Sequence, residues 1–208
     1  MPTPRGRSRP TAKDDRREAT RRRLIEAARR LFAEHGYSGV STTEIAREAG
    51  VTHGMVSAHF HSKPGLLFEL IGESNRVQSE AAQAVAESEG PFLDRLRRIV
   101  EIYLAEDLAD LELYGVMKAY SWRWPFDYER RNRRQLRAVL DPLRVLLEEA
   151  AAAGELRGDI PFDELAAIFL GVYGEATRLA LYDELEVGEV ADVVMRRLAI
   201  LADGLRPR

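Results

Sequence analysis

Apolar residues recur every three or four positions along nearly all of the 208-residue chain, and Val, Ile and Thr nowhere form a clear alternating run. That period marks amphipathic helices, so the pattern predicts an all-α fold of nine helices with no sheet. The first covers residues 14–35, with Leu24, Ala27, Ala28, Leu31 and Phe32 as its buried stripe and Arg16, Arg17, Arg21 and Arg22 outward. Gly36 ends it, because glycine takes the left-handed conformation favoured just past a helix. Ser41 and Glu44 have the spacing of a capping box, which opens a second helix that stops at Gly50. Thr52 caps a short third helix reaching about His59, and Ser62 caps a fourth, with Pro64 in its first turn and an end near Ser88. Longer helices follow at about 91–109, 112–122, 125–153, 163–184 (capped by Asp163) and 188–202.

The second and third helices are short and joined by a tight glycine turn, which is a helix-turn-helix. Ala46 supplies the small residue at the crossing, Gly50 the turn, and Val51 with Val56 pin the later helix to the core. Thr52, His53, Gly54 and Ser57 are left on a small, polar face that a DNA major groove can accept. Helical hairpins of this kind also serve purely structural roles, and charge is what separates the two readings. The net charge of −3 conceals an asymmetry: residues 1–65 carry 13 Lys/Arg against 7 Asp/Glu, and residues 66–208 carry 18 against 27. A basic end joined to an acidic remainder points to a nucleic-acid-binding domain followed by something else.

Composition narrows the rest. Hydrophobic residues at 45% and charged residues at 31% describe a globular chain, and the absence of cysteine excludes disulfides, thiolate zinc sites and cysteine nucleophiles. The basic, Pro-rich start has no apolar segment behind it, and the longest apolar run, at about 165–173, is far short of a membrane span, so a cytoplasmic protein is expected. His35, His53, His59 and His61 are the four histidines, but His53 and His59 fall on different helix faces and no acidic cluster joins them, so no metal and no cofactor are expected. There is no Gly-rich phosphate loop and no nucleophile with an adjacent base, so no enzyme is expected.

Three spaced segments carry a family likeness: residues 23–37 (RLIEAARRLFAEHGY), residues 41–51 (STTEIAREAGV) and residues 59–63 (HFHSK). Together, over about residues 20–70, they resemble the tetracycline-repressor (TetR) family. The resemblance implies an all-helical homodimer with N-terminal DNA-binding heads and a C-terminal domain for a small effector. It implies a flexible basic arm at 1–12, a DNA-binding domain at 13–62 and an effector-binding and dimerisation domain at 63–208. On the DNA side it implies that Thr42 and Thr43 bind DNA, with Thr43 near the start of the second helix where phosphate can be met, that Lys63 meets the DNA backbone, and that His59 matches a His/Tyr position beside Phe60. Most members place an aromatic where this chain has Ser57, so that contact departs from the pattern. The arm's Arg5, Arg7 and Arg9 have two readings, a minor-groove contact or a solubilising tail.

In the later two-thirds, aromatics concentrate at Tyr120, Trp122, Trp124 and Phe126, with Tyr103, Met117, Phe169 and Tyr173 on flanking helices. Plain core packing explains any one of them; the resemblance makes them the lining of a pocket for a mostly apolar effector. Glu175 lies among apolar residues and reads either as a pocket acid or as a surface residue paired with arginine. Leu165, Phe169, Val172, Ala176 and Leu179 on the eighth helix, and Val194, Leu198 and Leu201 on the ninth, form stripes that predict a two-fold four-helix dimer interface. Such a dimer reads a near-palindromic operator, and the resemblance makes the fourth helix the lever between effector and DNA. The rival is a helical scaffold or small-molecule-binding protein that has lost specific DNA binding.

Overall fold

The structure, a computed structural model, describes residues 11–121 and 126–205; the side chains of residues 120–121 and 203–205 are not described. The expectations for Arg5, Arg7, Arg9, Trp122 and Trp124, and for the Tyr120 side chain, lie outside the described residues. Those described form nine helices and no strand: α1 Ala12–Gly39, α2 Thr42–Glu48, α3 His53–Phe60, α4 Lys63–Ala86, α5 Phe92–Asp107, α6 Leu111–Ser121, α7 Phe126–Ala152, α8 Phe162–Tyr182 and α9 Val187–Leu205. The all-α reading holds, with boundaries displaced by a few residues.

Each displacement has a local cause. Helix α1 starts early because Thr11 and Asp14 close a capping box. Gly36, at φ 69°, interrupts it where the glycine signal placed its end. Ser62 caps α4 by accepting from the Gly65 amide at 3.1 Å. Thr52 stands at the N-cap of α3 but makes no side-chain capping bond. Pro161, not Asp163, is the N-cap of α8, and Asp163 falls in its first turn, where a carboxylate favours the helix dipole.

The chain divides into two compact units, Met1–Leu70 and Ile71–Arg208, with the division inside α4. The first packs Leu24, Ile25, Ala28, Phe32, Ile45, Val56, Phe60 and Leu66 into its core. Arg21, expected outward, instead reaches the Glu69 carboxylate at 2.5 Å and ties α1 to α4. The second unit's core is built from Ala82, Leu96, Ile99, Val100, Leu104, Leu143, Leu146, Ala176, Val190 and Val194.

Helix α7 carries Pro142 in its interior. Proline has no N–H for the carbonyl four residues back and crowds it, so the carbonyls around Ala138 need other donors. They have them: Ser79 Oγ of α4 donates to the Ala138 carbonyl at 2.9 Å, and the Tyr103 hydroxyl of α5 donates to the Val139 carbonyl. At the far end of α4, the buried Arg95 of α5 donates to the Ala86 and Ser88 carbonyls at 3.0 Å each. The same guanidinium grips Glu149 of α7 with two bonds, at 2.8 and 3.0 Å. A helix C-terminus has unpaired carbonyls, and here a charged fork covers them.

Ser79→Ala should therefore lower stability by about 0.5–1 kcal/mol, the scale of one such hydrogen bond. In a Pro142→Ala background, where residue 142 regains its own N–H, the same change should cost close to nothing. Urea midpoints of the four proteins in this double-mutant cycle check both values.

Candidate nucleic-acid interface and effector site

The helix-turn-helix is fixed by short-range bonds. Ser41 and Glu44 close a reciprocal box at 2.8 and 3.2 Å, which sets the first turn of α2. Gly50 turns the chain at φ 64°, and the Val51 amide returns to the Ala46 carbonyl at 3.0 Å. Ile45, Ala46, Val56 and Phe60 are buried, which holds the two helices against α1. What stays exposed on α3 is Thr52, His53, Gly54, Met55, Ser57 and Ala58. Met55, 40% exposed, and Ala58 were missed in the sequence because apolar residues were assigned to the core. Counting round the helix from buried Val56 and Phe60 places both on the outer face.

Thr42 is half-buried and Thr43 exposed. Thr42 Oγ1 lies 3.1 Å from His53 Nε2, which links the starts of α2 and α3. His59 is half-buried, and burial first, then Arg17 and Arg21, push its imidazole below the usual range. The shift favours the uncharged imidazole in the free protein. Lys63 turns inward: its ammonium donates to the Tyr37 carbonyl and sits 4.1 Å from the Tyr37 ring centroid and 5.8 Å from that of Phe32. Burial lowers its pKa. Here Lys63 fastens the start of α4 to the end of α1.

In the second unit, Tyr103 and Tyr173 from the expected pocket are buried in one polar cluster. The Tyr173 hydroxyl donates to Asp107 Oδ2 at 2.9 Å. Tyr114 and Thr177 bond at 2.9 Å, and Lys118 lies 5.0 Å from the Tyr114 ring centroid. Burial pushes the Asp107 carboxyl up to about 6, against the Tyr173 hydrogen bond and the Lys118 charge. Lys118 has an exposed surface, yet burial pulls its ammonium down. Asp107 was missed because a carboxylate at a helix end reads as solvated. The usable signal was position, since it continues the buried stripe of Leu96, Ile99, Val100, Tyr103 and Leu104.

Other expected pocket residues lie apart from this cluster. Met117 is half-buried and Phe126 is 75% exposed. Phe169 stacks on Tyr173 with ring centroids 5.7 Å apart. It also lines an apolar cleft of about 120 Å³ with Phe92, Leu96, Leu146, Phe162 and Leu198. Glu175 is exposed and lies 3.9 Å from Arg178, the bland alternative of its two readings.

Residues 24–70, which contain the whole helix-turn-helix, match the family model of bacterial regulatory proteins, tetR family. The HTH-type transcriptional repressor AcnR of Corynebacterium glutamicum is 30% identical over 193 residues, 88% of this chain and 94% of that protein. The chain belongs to the tetR family. It is a DNA-binding transcriptional regulator. The fold agrees: a putative tetR family transcription regulator from Shewanella sp. PV-4 has TM-score 0.66 at 26% identity, covering 91% of this chain and 99% of that one. FadR of Thermus thermophilus, in complex with lauroyl-CoA, has TM-score 0.73 at 21% identity, covering 90% and 96%.

This regulator's last two helices divide the residues expected at a dimer interface. Ala176 and Val194 are fully covered by the chain's own core, and Phe169 nearly so. Leu165, Val172, Leu179 and Leu198 are half-buried and Leu201 is 37% exposed. The outer face of α8 instead offers Ile168, Gly171 and Tyr182, with Ile168 at 43% and Tyr182 at 72% exposure. Its apolar character runs beyond the 165–173 segment: by length and composition alone Phe162–Tyr182 could cross a membrane, and 33% of that apolar window is buried within the chain.

Asp107 makes a pH prediction. Its folded-state pKa is raised from 3.8 to about 6, so the folded protein keeps a proton the unfolded chain has released. The contribution of this one group is fully present below about pH 4 and is lost as pH rises through 6. Asp107→Asn should flatten that window and leave the variant more stable at pH 7.5 by on the order of 2 kcal/mol. Urea titrations at pH 4.5 and 7.5 test the sign.

Proposed function

We propose that this regulator is a cytoplasmic repressor that binds a near-palindromic operator as a two-fold dimer and is released by a small, mostly apolar effector. The observation that carries the reading is α4. Leu66, Leu67, Phe68 and Leu70 of this one helix belong to the core of the DNA-binding unit, and Ala82, Val85 and Ala86 to the core of the other. An effector that favours one setting of α4 must weaken operator binding by the same coupling energy, typically about 1–3 kcal/mol.

Thr52, His53, Gly54, Met55, Ser57 and Ala58 face the major groove, and the exposed Arg16, Arg17 and Arg22 of α1 supply phosphate contacts. A direct aromatic contact at Ser57 is absent, so α3 reads DNA at short range and the backbone contacts carry more of the affinity. Tyr103, Asp107, Tyr114 and Tyr173 form the polar wall of the effector site. The lauroyl-CoA bound by the Thermus relative is an acyl ligand, in keeping with an apolar effector body. The dimer face is the outer side of α8 around Ile168, Gly171 and Tyr182, joined by Ile200 and Leu201 of α9.

Fluorescence anisotropy on DNA from the chain's own upstream region, against scrambled DNA at near-physiological salt, tests the reading. Binding at least about a thousandfold tighter to one palindrome is the expected outcome. Equal, weak, salt-sensitive binding to both DNAs, persisting after selection from random sequence, would favour a scaffold that has lost DNA specificity.

A charge on the α8 face tests the dimer separately. Ile168→Asp should shift the protein to monomer in sedimentation velocity and lose operator affinity at least tenfold, with its helical circular dichroism retained.

A further inference from the structure

Resting on the effector-released reading, the second unit's interior specifies which chemical group the effector carries. Gln78 of α4 is only 4% exposed, its Nε2 donates to Asn75 Oδ1 at 3.0 Å, and its Oε1 is buried with no partner. Its amide faces the Asp107 carboxyl. Asp107 accepts from Tyr173 at Oδ2, and among the described residues no basic side chain lies within 4.0 Å of it. A buried acceptor without a donor, beside a carboxylate without an ion pair, is a cost the fold retains unless a ligand removes it.

Counting protons defines what is missing. Tyr173 spends its hydroxyl proton on Asp107, and Tyr103 spends its own on the Val139 carbonyl. Thr177 donates to the Gly174 carbonyl at 2.9 Å, so in its contact with Tyr114 the phenol must be the donor. Apart from Lys118 and the Gln78 amide nitrogen, the donors of this wall are hydroxyls whose protons are already committed, while Gln78 Oε1 stays unmet. Lys118 is the cation that faces Asp107, and it lies over the Tyr114 ring. We propose that Gln78 and Asp107 form the recognition end of the effector site, and that the effector is an apolar molecule ending in a hydrogen-bond-donating nitrogen, a primary amine or amidine. One N–H goes to Gln78 Oε1 and another to the Asp107 carboxylate, while the apolar body lies along the tyrosine rings. A carboxylate or a bare hydrocarbon would leave Gln78 Oε1 unpaired.

The test uses the full chain and three probes of one shape: 4-phenylbutylamine, 4-phenylbutan-1-ol and 4-phenylbutyrate, each to 1 mM at pH 7.5, read by thermal shift and titration calorimetry. The amine should raise Tm and bind at least tenfold tighter than the alcohol or the acid. Asp107→Asn, which removes the charge and keeps the shape, and Gln78→Met, which conserves volume, should each weaken the amine at least tenfold, and Asp107→Asn should also remove most of its advantage over the alcohol. The proposal is overturned if the acid or alcohol equals the amine, if either variant binds the amine undiminished, or if none of the three binds. Binding of the acid with release of operator DNA would leave the effector-released repressor standing and remove only the amine. An effect on neither stability nor DNA affinity from any broader ligand set would count against the repressor reading itself.

Discussion

Helix α4 is held at its start by a cation of its own first turn and at its finish by one from α5, and each unit packs about its own half of the helix. At its start the Lys63 ammonium bonds the Tyr37 carbonyl at the end of α1. At its finish Arg95 covers the Ala86 carbonyl and grips Glu149. Between them Arg21 pairs with Glu69, and Ser79 reaches the Ala138 carbonyl. Each half of this 24-residue helix is thus tied to its own unit by side chains of that unit.

The second unit manages its buried polarity by assigning protons. Pro142 removes one donor from α7, and side chains of α4 and α5 replace what it withdrew. The tyrosine protons are spent within the core, one of them on the Asp107 carboxyl itself. Burial is what raises its affinity for a proton, and a ligand donor would offset that cost. Structure and ligand chemistry meet in the same hydrogen-bond accounting.

What could be read from the sequence was local. The Ser41–Glu44 box, the Gly36 and Gly50 breaks and the stripe of α1 each depend on residues a turn or two apart, and all were legible. The Thr11–Asp14 box was equally local, but the basic, Pro-rich run before it was assigned to an arm and hid it. Asp107 and Lys63 were not legible in their roles. The partners that define them, Tyr173 and Tyr37, lie 66 and 26 residues away, and charged residues are assigned to solvent by default. The stripes of α8 and α9 were real, yet a stripe does not say what it faces: Ala176 and Val194 turned to their own core and Ile168 away from it.

The outer face of α3 is unusually bare. Gly54, Ser57 and Ala58 have almost no rotamers to freeze, so docking this helix orders little, and its backbone can come near the base edges. None of these side chains is hydrogen-bonded within the described structure, and a Cβ added at Gly54 would meet nothing within 4 Å. If these residues read DNA as proposed, recognition and folding are written in separate residues of one short helix. Changing what the helix reads need not disturb what holds it, so this head is free to drift toward new operators without first becoming unstable.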